Sequence, residues 1–416
     1  MKEWMFVLFR LIVYASMIGI QYYFYRRAKN LLPEFAKPLQ KNLLNTLFPL
    51  FNVPLIVLVF WRPDFDELPQ WLILTGVYPF YIWHFSFFLM FLLVLIGQLI
   101  RLPFLSLKWI SLRINKSQRL TNFDKSDSAA KLNRQRRIFL RKSATILAGA
   151  VFTGTAYNAY RRQDCEITEV TIPVKNLPTE FEGFFIALIS DIHSSVFMTK
   201  DDMSRYAEAV NSLKADLIAV PGDFVNSSVD EVYPFAEAFS VLKAPYGVYG
   251  VLGNHDYYTR KVDIVAKYVD ECGILLLRND RVEIQKENQM LDLVGVDDVG
   301  SNRRAEQLFD TSLAGTDHKT PKILLCHRPY FFEQAAKRNI ALTLSGHTHG
   351  GQIVFAHVGN DIIAPARVIS PYVAGLYSLG DSHMYVSRGI GTVGVPIRIN
   401  CPPEITKITL IKAPSI

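Results

Sequence analysis

Five short polar clusters in the C-terminal half of the chain combine the side chains that bind divalent metal ions. In chain order they are Asp191-Ile192-His193, Gly222-Asp223, Gly253-Asn254-His255-Asp256, His327 and Gly346-His347-Thr348-His349. Carboxylate, amide and imidazole groups are the usual ligands of hard and borderline cations. One Asp-x-His arises easily by chance, and any single histidine could be a core residue, but five ordered clusters are specific. The set predicts a two-metal hydrolase.

The elements that must position these clusters are strands. Each cluster follows an apolar run that predicts a buried strand, as residues 185–190 do before Asp191. The ends of such strands meet at the rim of an open α/β sheet, where ligands bind. From about residue 164 predicted strands alternate with helices, including a helix opened by a capping box at Ser228 and Glu231 and running to Leu242, and another over 262–271. We therefore expect an α/β domain of two packed sheets flanked by helices.

Composition divides the chain into two unlike parts. The protein has 416 residues, of which 50% are hydrophobic, and a formal net charge of +7. Long apolar runs occupy the N-terminal quarter, whereas the remainder has the mixed composition of a soluble domain. Lys and Arg concentrate between the apolar runs, where they indicate membrane topology. No nucleic-acid partner is expected.

Residues 1–102 predict a transmembrane region of about three helices. The apolar stretches run from about 4 to 24, 45 to 61 and 71 to 100, each long enough to cross a bilayer. His84, in the third stretch, is expected to be structural. The positive-inside rule places the basic loop 26–41 and a basic linker over 103–142 in the cytoplasm. The protein is therefore expected to be a multi-pass protein of the inner membrane.

A basic motif precedes a fourth, mildly apolar run. The motif 136–142, which begins with Arg136 and Arg137, stands directly before residues 143–160, an arrangement that resembles a twin-arginine export signal placed internally. Gln135 departs from the usual pattern, in which Ser or Thr stands there. The alternative is a plain fourth transmembrane helix. Both interpretations carry the domain 161–416 to the outer, periplasmic face, and the first implies the twin-arginine export machinery as a partner.

The cysteines do not form a zinc motif. Cys165, Cys272, Cys326 and Cys401 are spaced too irregularly for one. Cys326 lies within an apolar run and is expected to be a buried thiol. One disulfide among the other three is permitted by an exported location.

Residues from about 180 to 412 resemble the calcineurin-like metallophosphoesterases, which carry the same five motifs. The tail 385–391 and 396–405 is similar to their membrane-anchored bacterial branch, which includes twin-arginine-exported phosphoesterases and UDP-2,3-diacylglucosamine hydrolases of lipid A biosynthesis. The resemblance implies a four-layer αββα sandwich after the all-α membrane region. Asn226 departs from the pattern, because much of the wider family carries Asp there.

The resemblance also implies a role for each polar residue. Two divalent metal ions, drawn from Mn, Fe, Zn or Mg, would be bridged by Asp223. One metal would be held by Asp191, His193 and His349, and the other by Asn254, His327 and His347. His255 would protonate the leaving oxygen, with Asp256 orienting its ring.

The implied function is a membrane-anchored, metal-dependent phosphoesterase. It would hydrolyse phosphate ester or pyrophosphate bonds with a two-metal-activated hydroxide, on a lipid-linked or cell-envelope substrate. Arg328, Arg388 and Arg398 are candidates for binding the phosphate, and salt bridging explains them equally well. One alternative is UDP-2,3-diacylglucosamine hydrolysis in lipid A biosynthesis. Another is a non-catalytic binding protein on the same fold, which would be expected to have lost some of the ligands.

Overall fold

The fold divides into two compact units, Met1–Ala159 and Tyr160–Ile416. A computed structural model describes residues 3–31, 38–60, 68–114, 127–161, 164–298, 302–317, 319–359 and 361–414. Part of the predicted cytoplasmic loop 26–41 and residues 115–126 of the predicted linker lie outside the described ranges.

The N-terminal unit consists of long helices. They are α1 (Glu3–Leu31), α2 (Pro38–Phe60), the short α3 (Gln70–Leu72) with a π-helical turn (Ile73–Val77), α4 (Tyr78–Ile114) and α5 (Asp127–Tyr160). Three stretches are long and apolar enough to cross a membrane: Val7–Lys29, Asn42–Phe60 and Gln70–Leu107. They overlap the three predicted spans, and within the described residues α5 is not among them.

The predicted linker 103–142 is largely helical. Helix α4 continues through Pro103 to residue 114, and α5 begins at residue 127. The reason is compositional: the Leu, Phe, Trp and Ile residues after position 103 extend the apolar pattern of the span. The basic residues before position 143 and the mildly apolar run after it therefore belong to one helix.

A buried polar network joins three of these helices. The Gln21 side chain of α1 lies 2.7 Å from Nδ1 of His84 on α4, and it accepts hydrogen bonds from Asn52 of α2 at 3.0 Å and from Trp83 at 2.5 Å. Nε2 of His84 lies 3.0 Å from the carbonyl oxygen of Phe51. Both ring nitrogens of His84 therefore have partners within the helical unit, as a structural histidine requires.

The C-terminal unit contains two six-stranded sheets. The first has the order β1 (Glu166–Val174), β14 (Glu404–Lys412), β2 (Phe185–Leu188), β3 (Leu217–Val220), β4 (Val248–Gly250) and β5 (Leu275–Leu276). The second has the order β12 (Gly375–Leu379), β13 (Ser382–Val386), β9 (Leu342–Ser345), β8 (Lys322–Cys326), β7 (Gln289–Val296) and β6 (Asp280–Lys286). A separate hairpin pairs β10 (Ala356–Val358) with β11 (Asp361–Ile363).

The two sheets pack face to face with helices outside them. One core cluster joins the facing sides, with Ile186 and Leu217 from the first sheet and Leu293, Ile323 and Leu342 from the second. Alternate residues of the same strands point outward, since side chains along a strand alternate between faces. On the outer faces they meet helices that include Lys200–Ser212, Val232–Phe239, Val262–Glu271 and Asn302–Ser312. The predicted four-layer αββα sandwich is confirmed.

Local signals place several of these elements. Ser228 and Glu231 form the predicted capping box, which opens a 3-10 turn and then the helix Val232–Phe239. That helix ends three residues before the predicted Leu242. The predicted helix over 262–271 is observed as Val262–Glu271. All four cysteines are free thiols, so the permitted disulfide is not formed.

Candidate metal centre

The polar clusters all follow strands whose ends lie on one side of the sandwich. Asp191, Asp223 and Asn254 come after β2, β3 and β4 of the first sheet, while His327 and His347 come after β8 and β9 of the second. The parallel pairing of β2 with β3, of β3 with β4 and of β8 with β9 aligns their carboxyl ends. Side chains from both sheets therefore converge at one rim.

The first metal-ligand cluster contains Asp191, His193 and His349, whose candidate ligand atoms all lie within 4.8 Å of one another. The two histidine Nε2 atoms are 3.0 Å apart, and Nε2 of His349 is 3.5 Å from Oδ1 of Asp191. Asp191 is held by the hydroxyl of Ser190 at 2.5 Å and by the backbone N–H of His347 at 2.8 Å. All three cluster members are buried.

The second metal-ligand cluster contains Asp223, His327 and His347. Nε2 of His327 lies 3.1 Å from Oδ2 of Asp223 and 3.3 Å from Nδ1 of His347. The other nitrogen of His327, Nδ1, donates to the carbonyl oxygen of Pro221 at 2.8 Å. This bond occupies Nδ1, so Nε2, which faces Asp223, is the candidate ligand atom.

Asp223 lies between the two clusters. Its Oδ2 is 3.1 Å from Nε2 of His327 in the second cluster and 3.5 Å from Nε2 of His193 in the first. Its other oxygen, Oδ1, accepts a hydrogen bond from the backbone N–H of His255 at 2.8 Å. One carboxylate oxygen thus faces ligands of both clusters, which is the position that a bridging ligand requires.

The environment of Asn254 tests whether these residues fit a metal. Its Oδ1 is buried and, among the described residues, has no hydrogen-bond partner. A buried polar oxygen without a partner is rare in folded proteins. An amide oxygen beside carboxylates and imidazoles is also an ordinary metal ligand. The donor set around Asp223 and this unpaired oxygen, one residue before the His255 N–H that bonds Asp223, therefore fit a bound cation.

Burial and charge set the protonation of the ligands in opposite ways. Burial lowers the pKa of His193 to about 3 and that of His347 to about 3, because water no longer stabilises the imidazolium. Burial acts on His327 in the same direction, but the charge and hydrogen bond of Asp223 raise that pKa to about 10. Burial raises the pKa of Asp191 to about 6. At neutral pH His193 and His347 are ready to bind a metal, whereas His327 carries a proton.

The backbone at the ligands adopts an unusual conformation. Five ligand residues have positive φ angles between 49° and 71°: Asp191, His193, Asp223, His347 and His349. Non-glycine residues adopt this region rarely, and it is concentrated at functional sites. A Cβ on Gly346 would lie 2.1 Å from Oδ2 of Asp191, so this position must be glycine. The motif glycine therefore allows the loop of His347 to approach the first cluster.

The structure gives His255 and Asp256 partners that differ from the predicted pairing. Nδ1 of His255 lies 2.6 Å from the carbonyl oxygen of Asn226, so the backbone and not Asp256 orients the ring. Asp256 instead accepts four backbone hydrogen bonds at 2.8 to 3.1 Å, from Gly253, Asp223, Phe224 and Val225. The buried carboxylate of Asp256 is thus hydrogen-bonded to backbone N–H groups and not to the side chain of His255.

Asp256 consequently positions a ligand loop. Burial and the nearby charge of Asp223 raise the pKa of Asp256 to about 8, against the backbone N–H groups that favour its ionised form. His255 itself lies close to the metal ligands, because one of its nitrogens is within 4.8 Å of ligand atoms of His193 and Asp223. Its position fits a proton donor beside the metals and also fits a further ligand.

The predicted phosphate-binding arginines are engaged elsewhere. Arg328 forms a two-bonded ion pair with Asp298, at 2.5 and 2.8 Å, and also donates to Tyr330. Arg388 donates to Glu166 at 3.0 Å and to Glu404 at 3.4 Å. These contacts agree with the salt-bridge interpretation of both residues. Arg398 is buried, and its guanidinium donates to backbone carbonyl oxygens.

Arg398 has a structural role that the sequence pattern did not indicate. Its guanidinium donates to the carbonyl oxygens of Arg388 at 2.9 Å, Gly389 at 3.2 Å and Gly391 at 3.1 Å. The same loop bonds the backbone of the first cluster, since the N–H of Gly391 donates to the carbonyl oxygen of Asp191 at 2.8 Å. Arg398 therefore holds the loop that supports Asp191. The tail stretch 396–405, which contains Arg398, is the part of the sequence that could have pointed to this role.

Comparison with known proteins agrees with this site. Residues 185–351 match the calcineurin-like phosphoesterase family. The chain is 30% identical over 284 residues to the uncharacterized metallophosphoesterase YkuE of Bacillus subtilis, a match that covers 66% of this chain and 97% of that protein. The chain therefore belongs to the calcineurin-like metallophosphoesterase family.

Two vertebrate proteins named "transmembrane protein with metallophosphoesterase domain" are also similar. The protein of Danio rerio is 33% identical over 261 residues, covering 60% of this chain and 58% of that protein. The protein of Bos taurus is 30% identical over 297 residues, covering 68% of this chain and 65% of that protein. The matches thus span less than two thirds of either vertebrate protein. Because the relatives include animal proteins, the narrower bacterial branch stays a prediction.

Proposed function

We propose that this protein is a membrane-anchored phosphoesterase that uses two divalent metal ions to hydrolyse a lipid-linked or cell-envelope phosphate ester or pyrophosphate. The observation that carries the two-metal part is the position of Asp223. One of its oxygens lies within 3.5 Å of a histidine from each cluster. The three apolar helices of the N-terminal unit support a membrane anchor.

The protein's own groups would bind and orient the phosphate and supply a proton. Two bound cations would provide a hydroxide near neutral pH and would stabilise negative charge on the phosphoryl oxygens. His255 keeps Nδ1 protonated against the carbonyl oxygen of Asn226, at 2.6 Å, so its Nε2 is the nitrogen that can serve the reaction. From this position the ring would donate a proton from Nε2 to the leaving oxygen.

Metal content and hydrolysis by the purified full-length chain test the proposal. We expect two divalent metals per chain and hydrolysis of bis(4-nitrophenyl) phosphate that disappears with a chelator and returns with Mn²⁺ or Zn²⁺. Metal binding without hydrolysis of diester, monoester or pyrophosphate substrates would favour the non-catalytic alternative. The complete donor set argues against that alternative, since every motif position carries a side chain that can bind a metal.

The proposed location is the inner membrane, with the catalytic domain on the outer face. The basic residues Arg136 and Arg137 before the run 143–160 support outward transfer through twin-arginine export. Replacing both by Lys keeps the charge but removes the guanidinium groups, so export should fail while ordinary helix insertion would continue. Protease digestion of spheroplasts measures the outcome.

The same digestion separates the remaining alternatives. Unchanged cleavage of the double-Lys variant would contradict the twin-arginine interpretation and keep the outward topology. Protection of the unmodified domain would place the active site in the cytoplasm. In that case a cytoplasmic lipid precursor, as in UDP-2,3-diacylglucosamine hydrolysis, would become the better proposal.

A further inference from the structure

Exposed apolar side chains are concentrated in one short segment of the catalytic unit. Among the described residues from 164 to 414, fourteen large hydrophobic side chains are exposed, and seven of them fall within residues 355–379. The seven are Phe355, Val358, Ile363, Val368, Ile369, Leu376 and Leu379. We call residues 355–379 the apolar segment. Scattered exposed apolar residues are normal, but a concentration of this kind marks an interaction surface.

The segment has one side that packs on the domain and one that does not. Ile362 of β11 packs against Val354, Ala364 and Cys401 in a small core cluster. Beyond the hairpin, Val368 is 92% exposed and Ile369 is 68% exposed. The hairpin is therefore folded onto the domain by its inner residues. The exposed apolar side chains of the segment take no part in that packing. The folding of the catalytic unit therefore does not explain why they are apolar.

Charge is almost absent from the segment, and what is present is neutralised. Asp361 and Arg367 are its only formally charged residues. They form an ion pair at 3.0 Å, and Arg367 also donates to the carbonyl oxygen of Pro371 at 3.0 Å. A protein partner is usually recognised through a rim of complementary charges and polar groups. A neutral surface of Phe, Val, Ile and Leu instead suits the apolar boundary of a lipid layer.

The segment is joined directly to the loop that carries two metal ligands. The hydroxyl of Thr348, between His347 and His349, donates to the carbonyl oxygen of Val373 at 2.5 Å. A Cβ on Gly351 would lie 2.4 Å from Cβ of Ala364, so the two chain segments touch. The apolar segment is therefore packed against the loop that carries His347 and His349.

We propose that the apolar segment docks into the interfacial region of a lipid bilayer and thereby presents a lipid-anchored phosphate ester to the metal clusters. The candidate spans of the same chain keep the catalytic unit near a bilayer, which raises its effective concentration there without a further partner. The effect on catalysis rests on the proposed phosphoesterase function. The docking itself does not, because it can be measured without turnover.

Docking is tested with a fluorescent probe on the full-length chain in dioleoylphosphatidylcholine vesicles. An environment-sensitive dye is attached in the Val368→Cys variant, with Lys267→Cys as the matched exposed control and the unsubstituted chain as the blank for its native thiols. We expect a nitroxide on the lipid acyl chains to quench the dye at position 368 and not at position 267. Equal quenching at the two positions, or no quenching at either, would overturn the inference. A dye at position 368 whose emission is blue-shifted but not quenched by the lipid nitroxide would also overturn it. That result would show that protein covers position 368, either the chain's own helices or a second copy.

Catalytic consequences are tested with two substrates that share a leaving group. One is soluble bis(4-nitrophenyl) phosphate, and the other is the 4-nitrophenyl ester of dioleoyl phosphatidic acid, embedded in the vesicle. Replacing Val368 and Ile369 together by Ser should slow hydrolysis of the lipid ester by about tenfold, since apolar contact with the bilayer is lost. Hydrolysis of the soluble diester should be unchanged.

The matched control is the double variant Val241→Ser and Ile264→Ser, because both residues are exposed on the same unit outside the segment. It should behave as the unsubstituted chain on both substrates. An equal loss on both substrates in the segment variant would overturn the inference and assign the segment to support of the metal site. If the unsubstituted chain hydrolyses neither substrate, the phosphoesterase proposal fails, while the quenching result still decides docking.

Discussion

The two metal-ligand clusters differ in how the protein prepares them. In the first cluster, burial lowers the pKa of His193 to about 3 and holds that of His349 well below its ordinary value, so both rings are neutral. The loop held by Arg398 supports the Asp191 backbone. In the second cluster, Asp223 raises the pKa of His327 to about 10, so that ring is protonated at neutral pH. The first cluster is thus organised by main-chain contacts and the second by an ion pair.

This difference predicts different responses to metal and to pH. A cation can bind the first cluster without displacing a proton from histidine. At the second cluster it must replace the proton that His327 shares with Asp223, because metal binding requires the neutral imidazole. Asp223 faces a histidine of each cluster, so its replacement should affect metal binding at both clusters.

The largest effect is expected from Asp223→Asn. The amide loses the charge that faces His193 and His327, so both clusters should lose metal and hydrolysis should become undetectable. Metal analysis of the purified protein and assay with bis(4-nitrophenyl) phosphate measure these effects. Asp230→Asn, which changes an exposed carboxylate nearby, should leave both unchanged. Retention of two metals and activity by Asp223→Asn would show that this residue is not a bridge.

His255→Ala should keep both metals and slow turnover by about a hundredfold, the usual scale for loss of a general acid. The loss should be smaller on esters with acidic leaving groups, which need less protonation. Rates across a series of aryl phosphate esters, together with metal analysis, measure this. Loss of a metal in this variant would instead make His255 a ligand, in line with its closeness to His193 and Asp223.

Arg398→Met should weaken metal binding at the first cluster by about tenfold, the scale seen when residues that hold metal ligands are replaced. The second cluster should bind metal normally, because Arg398 contacts the loop 388–391 and not the loop of His327. Titration with Mn²⁺ or Zn²⁺ distinguishes one weakened site from two. Arg338→Met, which also removes an arginine and breaks the ion pair with Asp310, is the control and should leave metal binding unchanged. Equal weakening at both sites would contradict a local role.

The smallest effect is expected in the pH dependence of metal binding at the second cluster. Because the folded pKa of His327, about 10, lies above its unfolded value, its proton stabilises the metal-free protein fully below about pH 6.5 and is lost as pH rises towards 10. Metal affinity at the second cluster should therefore rise about tenfold per pH unit between pH 7 and 9. Calorimetry in buffers of different ionisation enthalpy should detect one proton released there and none at the first cluster. If no proton is released at either cluster, or the same number at both, the two clusters do not differ in the protonation of their histidines.

Much of the architecture followed from local patterns. Apolar runs ending in polar clusters predicted β2, β3, β4, β8 and β9 within a few residues, because burial between two layers requires continuous apolar strands. The capping box at Ser228 and Glu231 and the helix Val262–Glu271 were also predicted correctly. Caps and helical periodicity depend only on residues close together in the sequence. The third span was predicted to end at residue 100, where a basic stretch begins, whereas the helix continues through Pro103 to Ile114.

Side-chain partners could not be read in this way. The sequence by itself determined which residue types lie at the strand ends, and therefore the family and the candidate ligands. Only the tertiary structure decided that Asn226, and not Asp256, orients His255, that Asp256 binds four backbone N–H groups, and that Arg398 supports a loop rather than a phosphate. These contacts join segments from separate strands, and motif spacing along the chain does not specify which atoms of distant loops meet.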